Sequence, residues 1–393
     1  MNPPSKPTSR LAGIDALRGA VMILMALDHT RDFVNASAMS FSPTDLSRTT
    51  PVLFFTRWIT HFCMPVFMFT AGAGAFLWWR QGKGTRGELS RFLWTRGLWF
   101  IFLEITVMRL AYNFQYPGRF PVFLLILWIF GICMILMAAL VHLPWRWLLA
   151  FSVAGIALHN CLDRAPFTNF GWGVIHRPGL YKVAGVPVLI PYTLLPWLAV
   201  MAGGFCFAQL LMDSPEVRRR RLRWIGLAMM LAFVILRGID RYGDPAPWSV
   251  QKSGVFTVLS FLNCTKYPAS LDFLLMTLGP ALVMLAWLDG RSWARTNPLI
   301  VFGRVPLFYF VLHFYLIHAL ALLLALARYG GRAWAFVFNP APSMGGQGFP
   351  PGYGYSLAAT YVIWLVVVAS LYPVCRWYAG YKSTHRSRWL SYL

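Results

Sequence analysis

The chain has 393 residues, of which 58% are hydrophobic and only 12% charged, with a formal net charge of +22. So little charge cannot cover the surface of a soluble protein of this length, which excludes a water-soluble globular fold and leaves an integral membrane protein. The Lys and Arg excess lies mainly in short links between apolar segments, which is a membrane topology signal and argues against nucleic acid as a partner.

The N-terminal stretch MNPPSKPTSR is polar, and no small-residue cleavage site follows the first apolar run, so residues 1–12 are expected as a cytoplasmic tail and that run as a retained helix. Runs of the length that a spanning helix needs, roughly 20 apolar residues, lie near 13–33, 51–79, 89–112, 120–142, 145–160, 187–212, 221–238, 269–288, 298–327 and 355–379. The expected fold class is all-α: a polytopic transmembrane bundle of about ten spans, with a single domain over 13–380 and a cytoplasmic tail over 381–393. The segment 253–268 is too short and mixed to span and suits an interfacial or re-entrant helix.

Charge in the links sets the expected orientation. Lys6 and Arg10, Arg80 with Lys83, Arg86 and Arg91, Arg146, the run Arg218–Arg221 with Arg223, Arg291 with Arg295, and Lys382 with Arg386 and Arg388 mark one side. The alternate links 161–186, 239–268 and 329–354 are longer and poorer in charge, so both termini are expected in the cytoplasm. The Arg218–Arg223 run reads as a topology signal against anionic lipid. No internal repeat is visible, so the inverted-repeat signature of many secondary transporters is missing.

Ionisable residues within spans mark pathways or active sites, since each costs roughly 2.5–3.5 kcal/mol at the bilayer centre. In the expected orientation Asp15 and Arg18 lie at the inner end of the first helix, and Asp28 and His29 in its outer part. Arg57 and His61 on the second helix, Glu104 and Arg109 on the third, and His313 and His318 on the ninth approach the same zone. Lys266 and Tyr267 reach it from the loop before the eighth helix. Arg18 and His29 are eleven positions apart, almost one face of a helix, and stand about 16 Å apart along its axis. Asp15 and Arg18 can pair at i,i+3. The arrangement suits a long anionic molecule entering from the cytoplasm with its reactive end towards His29.

His29 is the first candidate for a general base, because an imidazole titrates near neutrality; His61 is the second. Asp28 or Asp32 would either orient the His29 ring or pair with Arg31 near the headgroups. Glu104 is expected to be protonated or paired at its depth, with Arg109 or Arg57 as the partner. Lys266 would bind an acceptor or an oxyanion, and a shared outer cavity is expected for His29 and His61 with Lys266 at its rim. The six cysteines show no C-x-x-C spacing, and His313 and His318 stand about 140° apart on a helix, so no metal site is read. Cys161 and Cys264, both outward, are expected to approach each other.

The blocks RLAGIDALRGAVMILMALDHTRDF, FFTRWITHFCMPVFMFTAGAGAF, TKYPASLDFLLMTLGPA, FGRVPLFYFVLHFYLIHAL and YPVCRWYAGYK together resemble bacterial members of the heparan-alpha-glucosaminide N-acetyltransferase-like membrane family. The resemblance covers nearly the whole chain. It implies an inner-membrane acyltransferase with acetyl-CoA or another acyl-CoA as cytoplasmic donor and a sugar amine or hydroxyl on the far side as acceptor. Asp15 and Arg18 would then serve the donor, His29, His61 and Asp28 the chemistry, and Arg57, Lys266, Tyr267 and His313 the substrate. The broader membrane acyltransferases that modify exported sugars carry an Arg, ten residues and a His, which Arg18 and His29 match. Two departures stand out: the lysosomal relative carries Asn at the position of His29, and the third helix here reads Trp94-Thr95-Arg96-Gly97 in place of an Arg-x-Arg pair. A proton-coupled secondary transporter is the alternative function, and a homodimer is an open assembly.

Overall fold

The computed structural model describes residues 11–80, 84–114, 121–336 and 352–385. The tails at 1–10 and 386–393, with Lys6, Arg10, Arg386 and Arg388 of the charge pattern, lie outside the described residues, as does Lys83. The chain opens with α1 (Ala12–Val34), then α2 (Pro51–Trp58), a 3-10 turn (Ile59–Phe62) and α3 (Cys63–Trp78) in one continuous rod. Next come α4 (Arg86–Leu103), π-helical Glu104–Met108 and α5 (Arg109–Asn113), then α6 (Ile126–Leu140), α7 (Trp145–Leu158), α8 (Phe170–Ile175) and α9 (Leu194–Phe207). The second part holds α10 (Pro215–Ile239), α11 (Gly254–Leu262), α12 (Leu271–Asp289), α13 (Pro298–Arg304), α14 (Pro306–Tyr329) and α15 (Leu357–Thr384).

Among the described residues, six helical stretches are long and apolar enough to cross a membrane: Pro51–Trp78, Leu194–Met212, Pro215–Ile239, Leu271–Asp289, Pro306–Ala333 and Leu357–Thr384. The protein is integral to a membrane. Each of the ten expected runs contains a helix, but α6 and α7 have only 15 and 14 residues, and α1 carries Asp15, Arg18, Asp28, Arg31 and Asp32. Exposed Trp224, Leu231, Val362, Leu365 and Trp377 give α10 and α15 apolar outer faces, as lipid contact requires.

The fold is mostly helical as expected, with one small three-stranded sheet added. Residues of the run 187–212 begin as a strand, β3 (Val186–Ile190), which pairs antiparallel with β2 (Gly179–Val183) and parallel with β1 (Val122–Phe123). Val-Pro-Val-Leu-Ile favours extended backbone, and Ala184 and Gly185, both at positive φ (48° and 85°), make the two-residue turn that a tight hairpin needs. The expected single span 298–327 is also broken, because Pro306 opens a new helix and forces Val305 off helical geometry (φ −130°, ψ 49°).

Glycines let backbones touch where helices cross, the usual route to close packing in a bilayer. A Cβ on Gly19 would lie 1.8 Å from the Leu299 carbonyl oxygen, and one on Gly303 would lie 1.8 Å from the Asp15 carbonyl oxygen, so α1 and α13 are in backbone contact. Gly72 and Gly204 do the same for α3 and α9. Gly97 and Gly131 join α4 to α6.

Glu104 does not pair with an arginine as expected. Its carboxylate accepts from the backbone N–H of Leu127 (2.7 Å) and Trp128 (3.2 Å) and from the Tyr112 hydroxyl (3.1 Å). The first amides of α6 have no intrahelical partner, so Glu104 caps that helix from a neighbouring one. Arg218, read as a topology signal, grips Asp289 with Nε (3.0 Å) and Nη2 (2.9 Å) and so ties α10 to α12. Cys161 and Cys264 are both free thiols, the first exposed and the second buried, so no disulfide joins them.

Glu104→Ala should destabilise the protein by about 1–3 kcal/mol by orphaning two buried amides and a hydroxyl, read as thermal unfolding in detergent; Glu104→Gln, which keeps one acceptor, should fall between. Gly19→Ala should be more damaging than Ala substitution at Gly238, where nothing lies within 4 Å of the added methyl. Equal unfolding temperatures for those two variants would contradict the backbone contact between α1 and α13.

Candidate functional site

The last two turns of α1 place Asp28, His29, Arg31 and Asp32 against a cavity of about 550 Å³, a size typical of small-molecule sites. Arg57, Thr60 and Cys63 line it from the α2–α3 rod, Tyr192 from beyond β3, Lys266 and Tyr267 from the segment before α12, and Phe310 and Phe314 from α14. Of the residues singled out from the sequence, Asp28, His29, Arg57, Lys266 and Tyr267 are thus brought together.

Asp28 is held by two guanidinium groups. Arg57 donates to its Oδ2, and Arg31 Nη2 lies 3.0 Å from its Oδ1. Arg31 Nη2 also donates to Asp32 Oδ1 at 2.5 Å. Asp28 is therefore spent on arginines and does not orient the His29 ring. Asp32 comes nearer to that role, its Oδ2 lying 3.9 Å from His29 Nδ1. The Asp–Arg pairing expected near the headgroups is instead almost wholly buried, with the Arg31 side chain only 3% exposed. Arg31 Nε and Nη1 are buried and find no partner among the described residues.

The His29 ring lies against Phe314 (centroids 4.1 Å apart) and 5.3 Å from the His313 ring. Its Nδ1 is buried without a hydrogen bond, which leaves Nε2 as the nitrogen open to the cavity. His313 is not among the cavity-lining residues; its Nδ1 faces the Tyr309 carbonyl at 3.1 Å, and it touches the site through His29. His318 Nδ1 faces the Ala111 carbonyl at 2.8 Å. Among the described residues no group of three or more His, Cys, Asp or Glu could hold a metal ion.

His61 does not share this cavity. Its ring packs on Phe273 of α12 at 5.4 Å. The cause is the 3-10 turn, whose three-residue period puts Arg57, Thr60 and Cys63 on the cavity face and turns His61 about a third of a revolution away. Nothing in the amino-acid pattern marks that local tightening.

Tyr267 donates to or accepts from the Tyr192 hydroxyl at 3.3 Å, and Lys266 Nζ stands 5.3 Å from the Tyr267 ring. Burial would raise the Tyr267 phenol, but Lys266 and Arg57 outweigh it and hold the phenol below its ordinary value. At the other end of α1, Arg18 Nη1 lies 3.9 Å from Asp15 Oδ1, as the i,i+3 spacing predicts, and Nη2 donates to the Thr70 carbonyl at 3.4 Å. Asp15 also stands 3.9 Å from Arg304 Nε. These two residues lie outside the cavity lining. Arg31 was read only as a partner of Asp28 or Asp32, and Tyr192, a site member that the sequence reading missed, carries no signal in the amino-acid pattern.

The helical membrane bundle thus presents an imidazole and a phenol to one cavity whose lining mixes charged and apolar side chains. The chain belongs to the family of the heparan-alpha-glucosaminide N-acetyltransferase catalytic domain, which matches residues 10–240, and is an acyltransferase of that type. A comparison with curated proteins finds no match.

Asp28→Ala should cost about 3–5 kcal/mol of stability by stranding two buried guanidinium groups. Arg57→Ala should cost less, because Asp28 keeps Arg31, and its penalty should shrink further in an Asp28→Ala background. Thermal unfolding of the two single variants and the double variant measures this coupling; strictly additive effects would mean that the two residues do not interact.

Proposed function

We propose that the protein transfers an acyl group, acetyl in the simplest case, from acyl-CoA to a sugar amine or hydroxyl, with residues 13–380 acting as one unit. The observation that carries this reading is His29, within the part of the chain that matches the family, facing a cavity to which Lys266 and Tyr267 are presented from beyond that part. The donor enters from the cytoplasm at the Arg18 end, where a guanidinium suits phosphate, and its thioester reaches His29. The acceptor comes from the opposite side. The membrane is the cytoplasmic membrane of a bacterium, with both chain termini in the cytoplasm.

His29 Nε2 takes the proton of the acceptor as its nitrogen or oxygen attacks the thioester carbonyl. The developing oxyanion is stabilised by Lys266 or by the Tyr267 hydroxyl, whose lowered pKa makes it a stronger donor. Collapse breaks the C–S bond, and the His29 imidazolium returns the proton to the CoA thiolate. Transfer is direct, and no residue is acylated. His313 and Phe314 hold the His29 ring, and Arg57 shapes the wall beside Asp28. His61, which packs on α12, takes no part.

Arg18→Ala should weaken acyl-CoA binding, since a charge-assisted contact is worth roughly 1.5–3 kcal/mol, and leave single-turnover transfer largely intact at saturating donor. His29→Ala and His29→Asn should bind donor normally and slow transfer about 10²–10⁴-fold. Calorimetry and single-turnover assays with a panel of amino sugars separate the two effects. Full transfer by His29→Asn would remove His29 as the base.

A further inference from the structure

A second cavity, of about 610 Å³, opens where the ends of α3, α4, α6, α7 and α9 meet. This is the end of the bundle that carries Arg18. Trp79 forms its floor, stacked on Phe205 with ring centroids 6.4 Å apart and planes 17° apart. Two cations stand over Trp79: the guanidinium carbons of Arg80 and Arg86 lie 5.9 Å and 5.6 Å from its ring. Arg86 also donates to the His142 carbonyl at 3.1 Å. Arg80 makes no hydrogen bond or ion pair among the described residues. Asp213, the acid in the lining, is neutralised by Arg221 at 2.7 Å. The cavity therefore carries an uncompensated positive charge over an aromatic floor.

We propose that this cavity is a binding site for the phosphate headgroup of an anionic phospholipid. Basic pockets between membrane helices near the headgroup level recognise such groups. The flanks agree: α4 exposes Trp94 and Leu98, and α7 exposes Trp147 and Val153, so acyl chains can lie beside the pocket while Trp145 marks the interface. The donor path proposed above is on the other face of α3. Gly74 turns to Arg18, whose Nη2 would lie 3.4 Å from a Cβ there, whereas Phe76, about 200° further round, faces Phe205 at 5.4 Å. The site thus does not depend on the catalytic reading.

The test is native mass spectrometry of the purified full chain titrated with phosphatidylglycerol, with phosphatidylcholine, and with CoA as a soluble phosphate. The wild type should retain phosphatidylglycerol in preference to phosphatidylcholine. Arg80→Gln, which breaks no protein hydrogen bond and so spares the fold, should lower phosphatidylglycerol affinity about fivefold, the scale of one basic contact to an anionic surface. Arg80→Lys should keep most of it. Equal retention of both lipids, or an unchanged Arg80→Gln, overturns the proposal. Loss of CoA binding in Arg80→Gln without loss of phosphatidylglycerol overturns it too, by assigning the pocket to a soluble phosphate.

Discussion

The bridging of Asp28 by Arg31 and Arg57 is the constraint on which the site rests. A carboxylate withdrawn from water is tolerable only when paired and hydrogen-bonded, and here a single carboxylate meets one guanidinium from its own helix and one from α2. The bridge fixes the end of α1 against the α2–α3 rod and creates a polar wall inside an otherwise apolar bundle. It also sets the charge of the cavity. Asp28 and Asp32 are both engaged by arginines, while Lys266 has no carboxylate within ion-pair distance among the described residues. The balance of three cations to two anions favours an anionic ligand or a transition state that develops negative charge.

That wall is useful only because α1 is held at a fixed height. The backbone contacts of Gly19 with Leu299 and of Gly303 with Asp15 lock α1 to α13, and the break at Val305 and Pro306 then redirects the chain into α14. That turn brings His313 and Phe314 against the His29 ring. Rigid helices thus hold the imidazole from two sides, which is what a positioned base requires.

Much of this was legible in the sequence, and the failures have specific physical causes. Six long apolar helices among the described residues followed from apolar run length, the Asp15–Arg18 pair from helix period, and the shared neighbourhood of Asp28, His29, Arg57, Lys266 and Tyr267 from the expected orientation of the helices. The hairpin over Gly179–Ile190 was missed because an apolar run of five residues before a helix looks like more helix. Glu104 was assigned a cation because its partners, two backbone amides at the start of α6, are invisible in side-chain patterning. His61 was placed in the cavity by its expected depth alone, which does not say which way the turn Ile59–Phe62 points its ring.

The family match ends at residue 240, within the loop after α10, yet Lys266, Tyr267, Phe310 and Phe314 complete the cavity from beyond it. The matched part supplies both ends of α1, with Arg18 and His29, and the Asp28 bridge. The remainder supplies the cation and phenol that face them. In the proposed reaction this divides the labour: donor and base belong to the matched part, while the groups that meet the oxyanion or the acceptor belong to the rest. Neither part encloses the cavity alone, so the chemistry depends on α12 and α14 packing back onto α1. Apolar side chains buried on these helices, with Phe273, Leu274 and Ile317 fully inaccessible, supply the apolar surface that holds the two parts together.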